Sequence, residues 1–277
     1  MSIWHRPKQI IKTQLAKRGY VLERSASLPR RVQEMGFITL APNQTWYYER
    51  ADKLPLGIEL ERDLERLVNY YNLSVKTIID VGANQGQSAL RFHRAFPQAR
   101  VFSFEPVSGT FQRLAENTRG CPNIHISKIA LGAQPDTATI QLQSNSEWNS
   151  LTNGVNVART EGAASETVEI QTLDEFARAN QIERIDLLKT DTEGYDLCVL
   201  EGSRKLLEAQ RISLVLAEVG FGTSKRHTSF VELTRWLDAY HFGLYAFYEM
   251  VHHPMDWRVL YANALFVNLK LAPNKPA

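Results

Sequence analysis

The chain has 277 residues, of which 44% are apolar, so it can bury a sizeable core and lacks the composition of a disordered protein. No apolar run approaches the roughly 18 residues that cross a membrane, and the N-terminus shows no secretory signal pattern. The two cysteines, Cys121 and Cys198, are far apart and lack metal-ligand spacing. These features predict a cytoplasmic protein with reduced thiols.

Charge is distributed unevenly along the chain. The net charge is +2, but residues 1–31 carry eight Lys or Arg against one Glu, so the remainder carries −5. A mildly acidic main part is a poor platform for a polynucleotide, and we expect no nucleic-acid partner. We predict a basic helical extension over 1–55 and one main domain over 56–277. The extension can dock on its own domain, contact a second copy or lie on a membrane, and the first two are favoured.

Helical and strand-like segments alternate along the main domain. The predicted helices are Leu56–Tyr71, Ala89–Ala95, Ser108–Thr118, Tyr195–Leu207 and Phe230–Tyr240. The predicted strands are Thr77–Val81, Arg100–Phe104, Ile124–Leu131, Ile185–Lys189, Ile212–Val219, Gly243–Tyr248 and Val259–Asn268. This alternation predicts a Rossmann-like α/β sheet that is mostly parallel and ends in a C-terminal antiparallel hairpin.

A long insertion, about 133–184, separates the third and fourth of these strands. It contains two short strand-like runs, Thr137–Leu142 and Thr167–Thr172, and a polar segment, Ser144–Asn156. Long loops at the strand ends of an open α/β sheet usually cover the ligand crevice. Trp148 in the polar segment suits stacking on a sugar-like ligand, and anchoring in the core is an equally good interpretation.

A glycine-containing turn follows the first strand and opens a helix at 80–88. Gly82 permits a sharp turn and close approach of a ligand, and Gly86 permits close helix packing. Asn84 stands where a dinucleotide-binding G-x-G-x-x-G motif has its second glycine. Asp80 would repel a pyrophosphate but attract the ammonium of S-adenosylmethionine, whose carboxylate suits the helix N-terminus. The turn therefore favours S-adenosylmethionine.

Acidic residues end two further strands. Glu105, followed by Pro106, comes about twenty residues after the glycine turn, where a carboxylate can accept hydrogen bonds from ribose hydroxyls. The strand at Ile185 runs into Lys189, Asp191 and Glu193, a charge cluster at the ligand edge of the sheet, although such a network can also merely order a loop. No Asn/Asp-Pro-Pro-aromatic motif follows this strand, which argues against N-methylation of bases.

Six sequence blocks occur together in one order. They are D-V-G-A-N-x-G-x-S at 80–88, F-E-P at 104–106, A-L-G at 130–132, T-L-D at 172–174, I-D-L-L-K-x-D-T-E-G at 185–194 and V-L-E-G at 199–202. In order and spacing this set resembles the FkbM family of class I methyltransferases. The resemblance covers about 77–218 and leaves the leader outside it.

The resemblance implies a cofactor, an acceptor class and a set of site residues. The cofactor would be S-adenosylmethionine, and the acceptor a hydroxyl of a small molecule, secondary metabolite or glycan. The candidate cofactor-binding residues are Asp80, Gly82, Ala83, Asn84, Gly86, Ser88, Glu105, Pro106 and Ala130. Of these, Asp80 and the glycine turn would line the methionine end, Glu105 would hold the ribose, and the Ala130 region would flank the adenine.

Transfer of a methyl group to a hydroxyl requires that the hydroxyl lose its proton, so a general base or a metal ion should assist. Asp191 and Glu218, each at the end of a central strand, are the candidate bases, with Asp191 favoured by position. His227, in a loop at the same edge, is a third candidate catalytic residue. Asp191 and Glu193 could hold Mg²⁺, for which two carboxylates are weak evidence, so metal ligands stay unknown.

Two other interpretations remain open. A nicotinamide-dependent oxidoreductase would share Glu105 but is disfavoured by Asn84 and Asp80. A non-catalytic membrane or partner adaptor would use the basic leader and keep the α/β domain as a scaffold. Homo-oligomerisation is also left open by the sequence.

Overall fold

The structure, a computed structural model, describes residues 36–41, 44–48, 56–142, 164–223 and 226–271. The chain divides into two units, Met1–Ile58 and Glu59–Ala277. In the first unit β1 (Gly36–Ala41) pairs antiparallel with β2 (Gln44–Tyr48). The predicted leader helix and the Ser144–Asn156 segment with Trp148 lie outside the described residues.

The second unit contains the alternating elements. Its strands are β3 (Thr77–Val81), β4 (Arg100–Phe104), β5 (Ile124–Ser127), β6 (Ala130–Leu131), β7 (Asp136–Gln141), β8 (Ser165–Gln171), β9 (Ile185–Thr190), β10 (Ile212–Gly220), β11 (Thr228–Ser229), β12 (Phe242–His252) and β13 (Val259–Asn268). Its helices are α1 (Leu60–Tyr71), α2 (Gln87–Ala95), α3 (Ser108–Asn117), α4 (Leu173–Ala179), α5 (Asp196–Glu201), α6 (Arg204–Glu208) and α7 (Phe230–Asp238). None of the described helices is long and apolar enough to span a bilayer.

The main sheet has the strand order β12-β13-β10-β9-β3-β4-β5, with the short β11 beside β10. Strands β10, β9, β3, β4 and β5 are parallel, and β13 runs antiparallel to both β10 and β12. Every residue of β3 and β9 is buried, as expected when both faces of a parallel sheet are covered. Neighbouring Ile78 and Ile79 accordingly belong to different hydrophobic clusters. The predicted α/β Rossmann-like sheet with a C-terminal antiparallel hairpin is confirmed.

The predicted strand Ile124–Leu131 is in fact two strands in two sheets. β5 pairs with β4 through Ser127, opposite Phe104, where β4 itself ends. The chain then leaves the main sheet, and Ala130 pairs with Ile170 in a small sheet of order β6-β8-β7. A continuous strand was wrong because β4 offers no partner beyond Phe104.

The predicted helix Tyr195–Leu207 is likewise two short helices, α5 and α6. Gly202 separates them because it packs directly on the chain at Gly132: a Cβ on Gly202 would lie 2.0 Å from the Gly132 carbonyl oxygen. The Ser203 hydroxyl donates to the Leu200 carbonyl (2.7 Å), which closes the first helix. A tertiary contact, rather than local propensity, ends the helix here.

Helix α1 is fixed to the sheet by a buried polar contact as well as by apolar packing. Leu60, Leu64 and Leu67 lie on one face and join a core cluster. Asp63, on the same side, is 1% exposed and accepts hydrogen bonds from the Tyr248 hydroxyl (2.8 Å) and from Arg66 (2.9 Å). Tyr248 lies on β12, so this contact joins α1 to the C-terminal hairpin.

We expect Tyr248→Phe to lower the free energy of unfolding by about 1–3 kcal/mol, because the buried Asp63 carboxylate loses a donor. The measurement is urea denaturation at neutral pH, with Tyr70→Phe as the control, since Tyr70 is 56% exposed. Equal stability of the two variants would contradict a structural role for the Tyr248–Asp63 contact.

Candidate active site

A cavity of about 450 Å³ lies at the carboxyl ends of the central strands, where ligands of open α/β sheets bind. Its walls come from the segments that follow β3, β4, β9 and β10, from β6, and from facing positions on β12 and β13. The polar side chains that line it are Asn84, Gln87, Ser88, Arg91, Glu105, Lys189, Asp191, Thr192, Glu193, Glu218, Arg226, His227, Glu249, Tyr261 and Asn263.

The turn after β3 is held against two neighbouring strands. Gly82 has φ +75°, and a Cβ there would lie 1.9 Å from the Asp191 carbonyl oxygen, so no larger residue fits. The Gly82 and Ala83 amides both donate to the Phe104 carbonyl (3.1 and 2.9 Å). Asn84 is left-handed, with φ +46°, a conformation that Asn tolerates. The turn therefore has one fixed shape on the cavity wall.

Glu105 is the most buried carboxylate on the cavity wall, with 7% of the residue exposed. Its two oxygens accept from the backbone amides of Asn84 (3.1 Å) and Val107 (3.0 Å). Burial raises the pKa of Glu105 to about 7, even though these two amides favour the charged form. The carboxylate is thus oriented by both the β3 turn and the β4 end.

Lys189 joins the turn to the neighbouring segment that follows β9. Its ammonium lies 3.3 Å from Asp80 Oδ1, 3.3 Å from Asp191 Oδ2 and 3.3 Å from the Gly82 carbonyl oxygen. Burial lowers the pKa of Lys189, but the charges of Asp191 and Asp80 more than reverse this, so the pKa lies above its ordinary value. Lys189 is therefore a buried, protonated bridge between two carboxylates.

Glu218 and His227 form a pair on the wall that follows β10. His227 Nδ1 lies 2.8 Å from Glu218 Oε2, and the imidazole stacks on the Tyr261 ring with centroids 4.3 Å apart and planes at 23°. Burial raises the pKa of Glu218, the hydrogen bond to His227 opposes this, and the charge of Asp191 adds to it. The pair combines an oriented imidazole with a carboxylate that resists ionisation, which suits proton transfer.

A second ion pair borders this wall. The Arg226 guanidinium binds the Glu193 carboxylate through two nitrogens, at 2.7 and 3.2 Å. Burial raises the pKa of Glu193, and the Arg226 charge opposes this shift. Glu193, Glu218 and His227 place donor atoms within 4.8 Å of one another, close enough for a metal ion. These donors already bond to Arg226 and to each other, so they do not favour a metal ion. A Mg²⁺ site at Asp191 and Glu193, the possibility raised from the sequence, is unsupported.

The structure brings most of the predicted site residues into the cavity. Those that line it are Gly82, Ala83, Asn84, Ser88, Glu105, Pro106, Ala130, Asp191, Glu218 and His227. Their roles in binding or catalysis stay predictions. Asp80 and Gly86 lie behind the wall, contrary to the expectation that they would line it. Asp80 is 0% exposed against Lys189, and a Cβ on Gly86 would lie 3.0 Å from Leu114 Cδ1, so both face the interior.

Sequence reasoning missed the contribution of the C-terminal hairpin. Glu249 on β12 and Tyr261 and Asn263 on β13 line the cavity, together with Arg91 from α2. Arg91 bonds Glu249 (2.6 Å), and Asn263 donates to the same carboxylate (2.8 Å). The period-two spacing of Tyr261 and Asn263 places them on one face of a strand and was the available signal.

The sequence of the chain matches one known protein family. A family profile described as the methyltransferase FkbM domain matches residues 80–244, more than half of the chain. The chain belongs to the FkbM methyltransferase family. The matched segment begins in β3 and ends in β12, so it includes the β3 turn, Glu105, Lys189 and the Glu218–His227 pair.

Two curated relatives of this FkbM chain are informative by name. It is 29% identical over 166 residues to "Hexuronic acid methyltransferase AglP" of Haloferax volcanii, a match that covers 60% of the chain and 65% of the relative. It is 26% identical over 148 residues to "2-O-methyltransferase NoeI" of Sinorhizobium fredii, with 48% and 60% covered. The chain thus spans less than two thirds of the length of these relatives.

Solved structures resemble the chain at low identity. Aeropyrum pernix fibrillarin, solved with S-adenosyl-L-methionine, is 15% identical with a TM-score of 0.42, covering 86% of this chain and 84% of that one. The fold assignment rests on the strand order described above and not on this similarity.

We expect the free energy of unfolding to fall between about pH 5 and pH 7 partly because Glu105 must ionise in a buried site. A folded-state pKa of about 7 lies above the ordinary 4.5, so the stabilising effect of the protonated form is complete below pH 4.5 and is lost as the pH rises through 7. The loss attributable to this group is about 3 kcal/mol. Urea denaturation from pH 5 to 8 measures it.

Glu105→Gln should flatten this pH dependence, and Glu169→Gln, at an exposed position on β8, is the matched control. An identical pH dependence in the wild type and Glu105→Gln would contradict a raised pKa at Glu105.

Proposed function

We propose that the chain is an S-adenosylmethionine-dependent O-methyltransferase that acts on a hydroxyl of a sugar or another small molecule. One observation carries the proposal. A rigid glycine turn and an oriented buried Glu105 share a cavity with the Glu218–His227 pair, on neighbouring strand ends of one sheet. Membership of the FkbM family supports the same reaction class, as do the names of the two relatives, one a hexuronic acid methyltransferase and the other a 2-O-methyltransferase.

The residues on the cofactor side fit the proposed cofactor. The Asp191 carbonyl oxygen fills the space that a Cβ on Gly82 would need, so Gly82 contributes only backbone to the cavity wall. The N-terminus of α2, which begins at Gln87, suits a carboxylate, and Glu105 suits the ribose hydroxyls. Ala130 and its neighbours would flank the adenine. Asp80 lies behind the wall with its charge opposed by Lys189, so we now assign it a positioning role through that lysine.

The cofactor supplies a methyl group that its positive sulfur has already activated, and the protein's contribution is to align the acceptor and remove its proton. We assign proton removal to the His227–Glu218 pair, in which Glu218 orients the imidazole and stabilises its protonated form. Asp191, the base favoured from sequence, has its carboxylate 3.3 Å from the Lys189 ammonium, so that carboxylate is already engaged in an ion pair. We therefore prefer the His227–Glu218 pair to Asp191 as the base.

The remaining sequence-based proposals concern the cell and its partners. We retain a cytoplasmic location, an acceptor that is a small molecule or glycan, and no nucleic-acid partner. Peripheral membrane contact through the basic leader and homo-oligomerisation remain alternatives for the role of residues 1–55. A non-catalytic adaptor and a nicotinamide-dependent oxidoreductase are the competing functions, and cofactor binding separates all three.

Isothermal titration of the folded chain with S-adenosylmethionine and, separately, with NADH tests the proposal. We expect binding of the first ligand only. We also expect a loss of about tenfold or more in affinity in Glu105→Ala and little change in the exposed Glu169→Ala, because only Glu105 lies where two ribose hydroxyls can donate to it. Failure of folded protein to bind S-adenosylmethionine would overturn the methyltransferase assignment, and binding of NADH would favour the oxidoreductase.

The base assignment is tested by pH–rate profiles with an acceptor found by screening hydroxylated compounds. We expect kcat/KM to rise with pH as Glu218, whose pKa is raised by burial, loses its proton. Glu218→Gln and His227→Asn should each lower kcat by about 10²–10⁴-fold without weakening cofactor binding. His125→Asn, outside the cavity, is the control. A larger loss of kcat in Asp191→Asn than in both of these variants would return the base to Asp191.

A further inference from the structure

The part of the cavity beyond the cofactor-binding turn has an unusual charge pattern. It is formed by the ends of β9 and β10 and by the hairpin β12–β13, which lie on one side of β3 in the strand order, whereas Glu105 lies on the other side. We name it the acceptor wall. Its carboxylates are Asp191, Glu193, Glu218 and Glu249. This is where an acceptor would meet the Glu218–His227 pair.

Each cationic side chain among the described cavity residues is already bonded to carboxylates. Lys189 contacts Asp80 and Asp191 at 3.3 Å each. Arg226 binds both oxygens of Glu193.

Arg91, which also lines the cavity, lies between Glu61 and Glu249, with 2.6 Å contacts to both. The positive charge that could attract an anionic ligand is therefore compensated throughout.

The carboxylates of the acceptor wall repel one another even though most of them have cationic partners. Glu193 and Glu218 each have only 13% of the side chain exposed. Burial has the largest effect on the pKa of Glu193 and raises it, and the ion pair with Arg226 opposes this shift. The charges of Glu218 and Asp191 are the next largest effects, and both raise the pKa further. A further negative charge on a ligand would meet the same repulsion in a site where water screens it poorly.

Hydroxyl groups suit this wall. Ionised carboxylates only accept hydrogen bonds, and sugar hydroxyls donate them without bringing a charge. Asn263, held by Glu249, and Tyr261, stacked with His227, add polar and aromatic surface beside the carboxylates. A ring rich in hydroxyls can therefore satisfy the acceptor wall, whereas a ring carboxylate cannot.

We infer that the acceptor wall selects an uncharged, hydroxyl-rich ring, such as a neutral sugar, and rejects the same ring bearing a carboxylate. This inference rests on the proposed methyltransferase function and narrows its substrate class. It separates the chain from the Haloferax volcanii relative, whose name specifies a hexuronic acid. Charge, rather than size, makes the distinction.

The test compares three acceptors of similar shape: methyl glucoside, methyl glucuronamide and methyl glucuronate, with the galacto series in parallel. Transfer of a labelled methyl group from S-adenosylmethionine is measured as kcat/KM. We expect the glucoside and the amide to be methylated within about tenfold of each other and the glucuronate at least 30-fold more slowly than the amide.

Glu193→Gln provides a second measurement, because it leaves Arg226 without its ionised partner at Glu193. We expect the discrimination against glucuronate to fall at least fivefold in this variant and to persist in Glu232→Gln, which removes an exposed carboxylate outside the cavity. Titration with S-adenosylmethionine on the same preparations checks that cofactor binding is intact.

The outcomes separate the two levels of the argument. A folded chain that does not bind S-adenosylmethionine overturns the proposed function itself. With cofactor bound, glucuronate methylated as fast as the amide would overturn selection by charge. With cofactor bound, the absence of transfer to every neutral sugar in the panel would overturn the neutral-sugar class.

Discussion

The ammonium of Lys189 is the contact on which the site geometry depends. Burying an ammonium is costly unless opposite charges and hydrogen bonds surround it, and Lys189 meets Asp80, Asp191 and the Gly82 carbonyl at 3.3 Å each. These three partners come from β3, the turn after it and the end of β9. Removing either carboxylate would leave a buried charge poorly compensated. The neighbouring segments that follow β3 and β9 are therefore held in one arrangement.

Backbone packing reinforces the same junction. The Asp191 amide donates to the Val81 carbonyl (3.1 Å), and the Asp191 carbonyl occupies the space that a Cβ on Gly82 would need. Gly82 is thus required as much by its neighbour across the sheet as by its own positive φ. The turn after β3 and the Asp191 segment are therefore packed against each other as one part of the cavity wall.

What the sequence could predict follows from which interactions are local. The alternation of Thr77–Val81, Arg100–Phe104 and Ile185–Lys189 with helices predicts the parallel sheet, and the carboxyl ends of parallel strands must meet at one edge, which brings Glu105 and Asp191 together. The split at Ser127 and the break at Gly202 depend on partners distant in sequence. Side-chain direction was equally hidden: Asp80 points at Lys189 rather than into the cavity, and only the assembled sheet reveals this.

Basicity and selectivity have one physical origin in the proposed reaction. The Glu218–His227 pair must accept the proton of the hydroxyl, and burial and the charge of Asp191 raise the pKa of Glu218, which favours the proton-bound pair. The same negative charges repel any additional anion. A wall suited to deprotonating a hydroxyl is therefore poorly suited to a uronate, unless it also supplies an arginine that has no carboxylate partner. Arg226 and Arg91 are both bonded to carboxylates in this chain. By this argument, a relative that methylates an acidic sugar needs a positive charge in its wall that is not compensated by a carboxylate, as the arginines are here.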